Sequence, residues 1–305
     1  MLWVRVPSPA PIIRNENFMV KIVLALGLLF PLTAYGQNTV VVDPGTNKKV
    51  VKEWTSSLNK VSNIPSTSYI VKKSGGADSL HRVKHRDAII WIPNSSNLSK
   101  NLTVVFWFHG HYGYVPHRTF EDRTLKQFVP LTSKNNFVLV IPEMPWSVHT
   151  STPTKRNSRV WTKSGDFLKF VDQVYSVLYK HNSQSDLGKI DYKVVGHSAG
   201  GSTIMRLGIT GDICKIAPST VVWSDSSYGG WLDYAWKGCL KDSPSTTVKV
   251  FVVKGGPPWR NAMRFRSYLR ELPSNLEIFV MTRPWSHKKI GDNVVELSKL
   301  LQGEN

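Results

Sequence analysis

The chain has little cysteine and no long apolar run, and these two features exclude several classes of protein. Its two cysteines, Cys214 and Cys239, have no CxxC partner and no metal-ligand spacing. No apolar run reaches the roughly 20 residues that a membrane-spanning helix needs. No internal repeat or low-complexity linker divides residues 37–305. These absences favour a globular protein without a zinc-finger motif or several membrane spans.

Acidic residues are also few, with 21 Asp and Glu against 39 Lys and Arg and a net charge of +18. Such an excess favours contact with anionic polymers or surfaces through electrostatic steering. The sequence nevertheless lacks a zinc-finger spacing, an RNA-binding aromatic signature and a long basic run, so nucleic acid is not an expected partner. Anionic cell-envelope material and a merely basic solvated surface explain the charge equally well.

The N-terminal part differs from the rest. Met19 opens a segment with one lysine, the apolar run 22–30 and a small-x-small pattern that ends at Gly36. This pattern predicts a secretory signal peptide over 19–36. The apolar run is too short for a membrane anchor, which is the alternative. Residues 1–18 are interpreted as an upstream extension from a misplaced start codon.

The mature protein is therefore expected to be secreted or periplasmic, without a transmembrane segment after cleavage. An exported protein with two cysteines permits one disulfide between Cys214 and Cys239, and two free buried cysteines are the alternative. We divide the mature chain into a lead-in segment, 37–85, and a single α/β domain, 86–305.

The order of elements predicts an α/β fold with a doubly wound, mostly parallel sheet. Seven apolar, β-branched runs are expected to be strands: 86–93, 102–109, 137–142, 192–196, 220–223, 248–253 and 276–281. Five segments between them have helical spacing: 120–131, 166–179, 201–208, 263–269 and 294–301. The polar stretch 94–101 is predicted to be a hairpin loop. Active sites in such sheets lie at the carboxyl ends of the strands.

One strand is followed by a glycine-rich turn and a helix. The turn has the sequence Gly196-His197-Ser198-Ala199-Gly200, which fits the GxSxG pattern of a nucleophilic serine. A sharp turn of this kind forces Ser198 into strained backbone dihedrals and presents its hydroxyl above the sheet. The backbone N–H of Ala199 is then placed to donate to an oxyanion. A tight turn with an idle serine is the alternative.

These residues resemble the α/β-hydrolase family over roughly residues 86–302. In that family a His-Gly pair after an earlier strand lines the oxyanion hole, and His109-Gly110-His111 follows an apolar strand here. The resemblance implies the backbone N–H of His111 as the second oxyanion donor, with Tyr112 as a close rival. Taken alone, the HxH pattern of His109 and His111 is also compatible with a metal site.

A serine hydroxyl needs a base to remove its proton. The family order is nucleophile, acid, histidine, and His287 is the only histidine after Ser198. A surface histidine in a C-terminal loop is the alternative. The acid most often follows the second strand after the nucleophile, but residues 254–259 contain no carboxylate. Some family members carry the acid one strand earlier, which implies Asp225. Asp233 is the alternative.

The sequence and the resemblance together imply a secreted serine hydrolase without cofactor or metal. Ser198, His287 and Asp225 are the predicted triad, and the predicted mechanism is an esterase reaction through an acyl-enzyme. The expected substrate is a small-molecule or polymeric acyl compound, with anionic envelope material as one source. An amidase or peptidase is an alternative, and so is a non-catalytic exported binding protein on a hydrolase scaffold.

Overall fold

A computed structural model describes residues 40–42, 66–72, 87–111, 124–142, 144 and 161–301. For residues 40–42, 66–72 and 87 the description covers the backbone only. The predicted upstream extension, the signal peptide with its cleavage site, and Tyr112 lie outside the described residues. No helix in the described part of the chain combines the length and apolarity that a bilayer-spanning helix requires.

The described strands form one nine-stranded sheet. They are β1 (Val40–Val42), β2 (Ser66–Lys72), β3 (Asp87–Pro93), β4 (Leu102–Phe108), β5 (Phe137–Pro142), β6 (Ile190–His197), β7 (Thr220–Ser224), β8 (Thr247–Val253) and β9 (Leu276–Met281). Their spatial order is β1-β2-β3-β5-β4-β6-β7-β8-β9. The six strands from β5 to β9 in this order are parallel, and β3 is antiparallel to both of its neighbours.

The described helices cover both faces of the sheet. They are α1 (Leu125–Phe128), α2 (Asp166–His181), α3 (Gly201–Thr210), α4 (Asp212–Lys215), α5 (Trp231–Gly238), α6 (Pro257–Tyr268) and α7 (His287–Leu297). Buried residues of α2, α3, α5 and α6 pack in one apolar cluster, and those of α1 and α7 pack in another.

Strand β4 shows why both faces are covered. Successive side chains of a strand point to opposite faces. Accordingly, Val104 and Phe106 lie in one cluster, whereas Val105 and Trp107 lie in the other. A strand that is apolar at nearly every position must be buried on both sides. The predicted doubly wound, mostly parallel sheet is therefore confirmed.

All seven predicted strands are present, with each end within two residues of its predicted position. The helices are less well predicted. The one expected at 263–269 begins at Pro257, because proline is compatible with a first turn whose N–H groups have no intrahelical partner. The one expected at 294–301 begins at His287, where Ser286 caps it by accepting a hydrogen bond from the Lys289 N–H at 3.2 Å.

The prediction of a hairpin at 94–101 is wrong. Strand β5 lies between β3 and β4, so the two strands that this loop connects are not neighbours in the sheet. The loop instead crosses the start of β5, where the Ser96 hydroxyl donates to the Phe137 carbonyl at 2.8 Å and the Asn136 amide donates to the Asn101 carbonyl at 2.7 Å. A polar loop between two apolar strands can form a hairpin or can connect strands that are not neighbours. Only the pairing of the strands in the sheet distinguishes the two.

Cys214 and Cys239 form a disulfide, with their Cα atoms 6.2 Å apart. The bond joins α4 to the residue that follows α5, and both helices lie on the same face as α3. The alternative of two free cysteines is therefore wrong.

Candidate active site

Ser198 lies at a sharp turn between β6 and α3. Its φ of +53° is in the left-handed region, which is strained for a residue with a side chain. The turn closes because its flanking residues are glycines. A Cβ at Gly200 would overlap the Phe108 carbonyl oxygen, and one at Gly196 would lie 2.7 Å from Ile204 Cδ1. The sequence of this turn therefore allows the backbone to approach its neighbours closely enough to form the elbow.

The His-Gly segment after β4 lies directly beside Ser198. A Cβ at Gly110 would come within 2.8 Å of the Ser198 Cβ. The position of this segment is fixed by His109, which is 2% exposed. Its Nε2 accepts a hydrogen bond from the Met144 N–H at 2.9 Å, so its Nδ1 carries the proton and donates to the Gly110 carbonyl at 2.8 Å.

Both ring nitrogens of His109 are therefore used in backbone hydrogen bonds, which leaves neither for the HxH metal alternative. The described residues also contain no group of three or more His, Cys, Asp and Glu side chains that could hold a metal ion. The structure gives His109 a role in holding the backbone next to Ser198.

The two predicted oxyanion donors each lie next to one partner of the contact between Gly110 and Ser198. Ala199 is buried in the short 3₁₀ helix Ser198–Gly200, where the first N–H groups lack helical partners. His111 is exposed and lies one residue after Gly110. Their role as an oxyanion hole stays a prediction.

The structure brings Asp225 and His287 together. The Nδ1 atom of His287 lies 2.7 Å from the Asp225 Oδ2 atom. Asp225 is 3% exposed and directly follows β7, and its Oδ1 accepts a hydrogen bond from the Val253 N–H at 3.0 Å. The side chain of His287 is 43% exposed and lies at the first residue of α7. The Asp225 carboxylate is thus held in place by a backbone N–H of β8, and its other oxygen contacts the partly exposed imidazole of His287.

Asp233, the alternative acid, has a different partner. It lies in the first turn of α5, where its carboxylate forms an ion pair with Lys237 at 3.1 Å. This i,i+4 pair is a common feature of exposed helix surfaces. The structure therefore places Asp225 rather than Asp233 on His287.

His197 was not among the residues predicted for the site. Its ring stacks on the His287 ring with centroids 4.7 Å apart and an interplanar angle of 28°. Its Nδ1 lies 3.0 Å from the Ser224 carbonyl oxygen. A Cβ at Gly291 would lie 2.7 Å from its Nε2, so α7 packs closely against the ring. The only sequence signal was its position immediately before Ser198.

Tyr228 was also missed. It is half-buried in the loop after Asp225, and its ring centroid lies 6.5 Å from that of His287 and 5.5 Å from that of Trp231. Burial raises the pKa of Tyr228, a side-chain hydrogen bond with Ser198 lowers it, and the Asp225 charge raises it. The net direction is upward, so the hydroxyl stays protonated at neutral pH. No sequence motif marks this residue.

The predicted triad residues therefore lie at one end of the sheet, as expected for an open parallel sheet. Ser198 follows β6, Asp225 follows β7, and His287 lies after β9. Two residues connect the serine to the imidazole. His197 precedes Ser198 and stacks on His287, and Tyr228 has its ring edge-to-face with the His287 ring while the Ser198 side chain lowers its pKa.

No protein-family profile and no curated protein sequence matches this chain. Solved structures do match. A fluorophosphonate-binding serine hydrolase of Staphylococcus aureus has a TM-score of 0.50 at 11% identity, covering 78% of this chain and 98% of that one. An S-formylglutathione hydrolase of Staphylococcus aureus has a TM-score of 0.49 at 12% identity, with 76% and 98% covered. A dienelactone hydrolase of Anabaena variabilis has a TM-score of 0.46 at 14% identity, with 77% and 96% covered.

The first of these likenesses shows the fold, and the mostly parallel sheet described above is consistent with it. The chain has the α/β-hydrolase fold, and the resemblance stated from the sequence is confirmed at the level of the fold.

Proposed function

We propose that this protein is a secreted serine hydrolase that cleaves esters through an acyl-enzyme on Ser198. The observation that carries the proposal is the 2.7 Å contact between His287 Nδ1 and Asp225 Oδ2, at the same end of the sheet as the strained Ser198 turn. A buried carboxylate on Nδ1 keeps the proton on that nitrogen and leaves Nε2 free to act as a base.

In this mechanism the Ser198 Oγ attacks the acyl carbon while His287 Nε2 takes its proton. The negative carbonyl oxygen accepts hydrogen bonds from the Ala199 and His111 N–H groups. His287 then donates the proton to the leaving oxygen, and the acyl–oxygen bond breaks. Water repeats the sequence on the acyl-enzyme, with His287 again as the base.

Contacts within the protein hold the imidazole in place. Asp225 is fixed by the Val253 N–H, and the His287 ring lies against His197, which is packed in turn against Gly291. Preorganisation of this kind supports catalysis because the enzyme does not have to order the base during the reaction.

An ester is the proposed substrate because its leaving oxygen needs less help from an acid than an amide nitrogen does. We expect para-nitrophenyl acetate to be cleaved at least about 100-fold faster than para-nitroacetanilide, a difference of about 2.7 kcal/mol in activation free energy. The measurement is kcat/KM for both compounds with purified protein. Equal or faster cleavage of the anilide would favour the amidase alternative, and cleavage of neither would favour a binding protein.

Anionic envelope material is the proposed natural source of the acyl compound. Removal of residues 1–36 takes away Arg5, Arg14, Lys21 and Glu16, which leaves 36 basic and 20 acidic residues and a net charge of +16. This charge supports the proposal, because a basic surface concentrates polyanions near the site.

Export is a further part of the proposal. The signal pattern over 19–36 supports it, and so does the Cys214–Cys239 disulfide, because stable disulfides are typical of oxidising compartments outside the cytoplasm.

Protein recovered from outside the cytoplasm is expected to begin at Gln37 when its N-terminal peptide is measured by mass spectrometry. An exported protein that still begins at Met1 or Met19 would contradict the assigned cleavage site.

A further inference from the structure

The loop that carries Asp225 also brings a second functional side chain to the site. Tyr228 lies three residues after Asp225, and its backbone N–H donates to the Ser226 carbonyl at 3.0 Å. Its ring makes edge-to-face contacts with Trp231 and His287, at 5.5 and 6.5 Å between centroids. The Ser198 side chain is near enough to lower the pKa of Tyr228, against the upward effects of burial and of the Asp225 charge.

The sheet order shows from which side of Ser198 the loop with Tyr228 approaches. Strand β6, which ends at Ser198, has β4 as one neighbour and β7 as the other. The Gly110 segment, with the predicted oxyanion donors, reaches Ser198 from the β4 side. The loop with Asp225 and Tyr228 reaches it from the β7 side. Tyr228 therefore lies on the side of Ser198 opposite to the Gly110 segment, which is also the side on which His287 meets Asp225.

The leaving oxygen of an ester must lie on that same side. It receives its proton from His287 Nε2, and it is bonded to the carbon that Ser198 attacks. Tyr228 lies on this side of Ser198 with its ring edge-to-face with that of His287, so it is next to this position.

We propose that Tyr228 is a catalytic residue that donates a hydrogen bond to the leaving oxygen during formation of the acyl-enzyme. This inference rests on the proposed function, since it requires Ser198 to be the nucleophile. In the collapse of the tetrahedral intermediate the carbon–oxygen bond breaks, its electron pair stays on the leaving oxygen, and the His287 Nε2 proton moves to that oxygen. The Tyr228 hydroxyl stabilises the charge that develops there and keeps its own proton.

The test compares two esters of one acid, ethyl butyrate and para-nitrophenyl butyrate, with the Tyr228→Phe variant. The para-nitrophenolate leaves as a stable anion, whereas the ethoxide needs stabilisation and a proton. We expect kcat/KM to fall about 10- to 100-fold for the ethyl ester and less than about threefold for the aryl ester. Because kcat/KM reports the steps up to acylation and the acyl group is shared, deacylation does not affect the comparison.

Tyr234→Phe is the matched control, because it removes the same hydroxyl from α5, where Tyr234 is 56% exposed. This variant should have the wild-type kcat/KM for both esters. Phenylalanine at 228 keeps the ring contacts with Trp231 and His287, and an unchanged melting temperature would establish that Tyr228→Phe folds normally.

The outcomes separate the two claims. Labelling by a fluorophosphonate, which expels fluoride, should proceed at the same rate in the wild type and in Tyr228→Phe. If the wild type does not label, the proposed function fails. If the wild type labels and Tyr228→Phe keeps the wild-type kcat/KM for both esters, the inference about Tyr228 is overturned and the proposed function stands. An equal loss on both esters would overturn the leaving-group role in favour of an action on Ser198 or the oxyanion.

Discussion

The Ser198→Ala variant is expected to lose ester turnover by about 10⁴- to 10⁶-fold, because no other group in the proposed mechanism forms the acyl-enzyme. Binding and the oxyanion donors remain, so a small residual rate over water should persist. The change removes one hydroxyl and leaves the backbone of the turn intact, so the melting temperature should change little. The measurement is kcat for para-nitrophenyl butyrate together with a thermal melt.

Ser226→Ala is the matched control for this variant. Ser226 is buried close to the elbow, since a Cβ at Gly201 would lie 2.9 Å from its Cβ, and its hydroxyl has no hydrogen-bond partner among the described residues. Loss of that hydroxyl should leave turnover near the wild-type value. Activity retained by Ser198→Ala would remove the basis of the mechanism.

The Asp225→Asn variant is expected to lose turnover by about 10²- to 10⁴-fold. The amide keeps the shape of the carboxylate, but its NH₂ group favours the imidazole tautomer with the proton on Nε2, and its lack of charge no longer stabilises the imidazolium. Since the Val253 N–H still has an oxygen to bind, the loop should stay in place. A melting temperature close to that of the wild type would separate this loss from a purely structural defect.

Asp233→Asn is the matched control. It breaks a surface ion pair with Lys237 that contributes about 0.3–0.5 kcal/mol to stability, so turnover should be nearly unchanged. The reverse result, a damaging Asp233→Asn and a near-normal Asp225→Asn, would move the acid to Asp233 even if Ser198 and His287 kept their roles.

The fold was predictable from local patterns because its central strands are buried on both faces. Strands such as β4 and β5 are apolar almost throughout and are bounded by polar residues, so their ends are visible in the sequence. The pairing of β3 with β5 could not be predicted, because the sequence of a polar loop does not indicate which strand lies beside it. Strand β2 was missed because Ser66–Lys72 mixes polar and apolar residues and joins the antiparallel edge of the sheet.

The geometry of the candidate site was predictable where it depends on chain order. The glycines around Ser198 mark the turn, and His287 is the sole histidine after it. Asp225 needed the additional rule that the carboxyl ends of parallel strands share one edge. Tyr228 and His197 were not predictable as site residues, because their contacts depend on ring orientations set by Trp231 and Gly291, which are distant from Ser198 in sequence.

The central claim is that Ser198 is an activated nucleophile, and mapping of a fluorophosphonate adduct tests it most directly. Purified protein is treated with the probe, and the modified residue is identified by peptide mass spectrometry. The proposed mechanism predicts one adduct per chain, on Ser198, with labelling strongly reduced in Asp225→Asn. A protein that remains unmodified, or that carries its adduct on another residue while Ser198 is free, would contradict the claim.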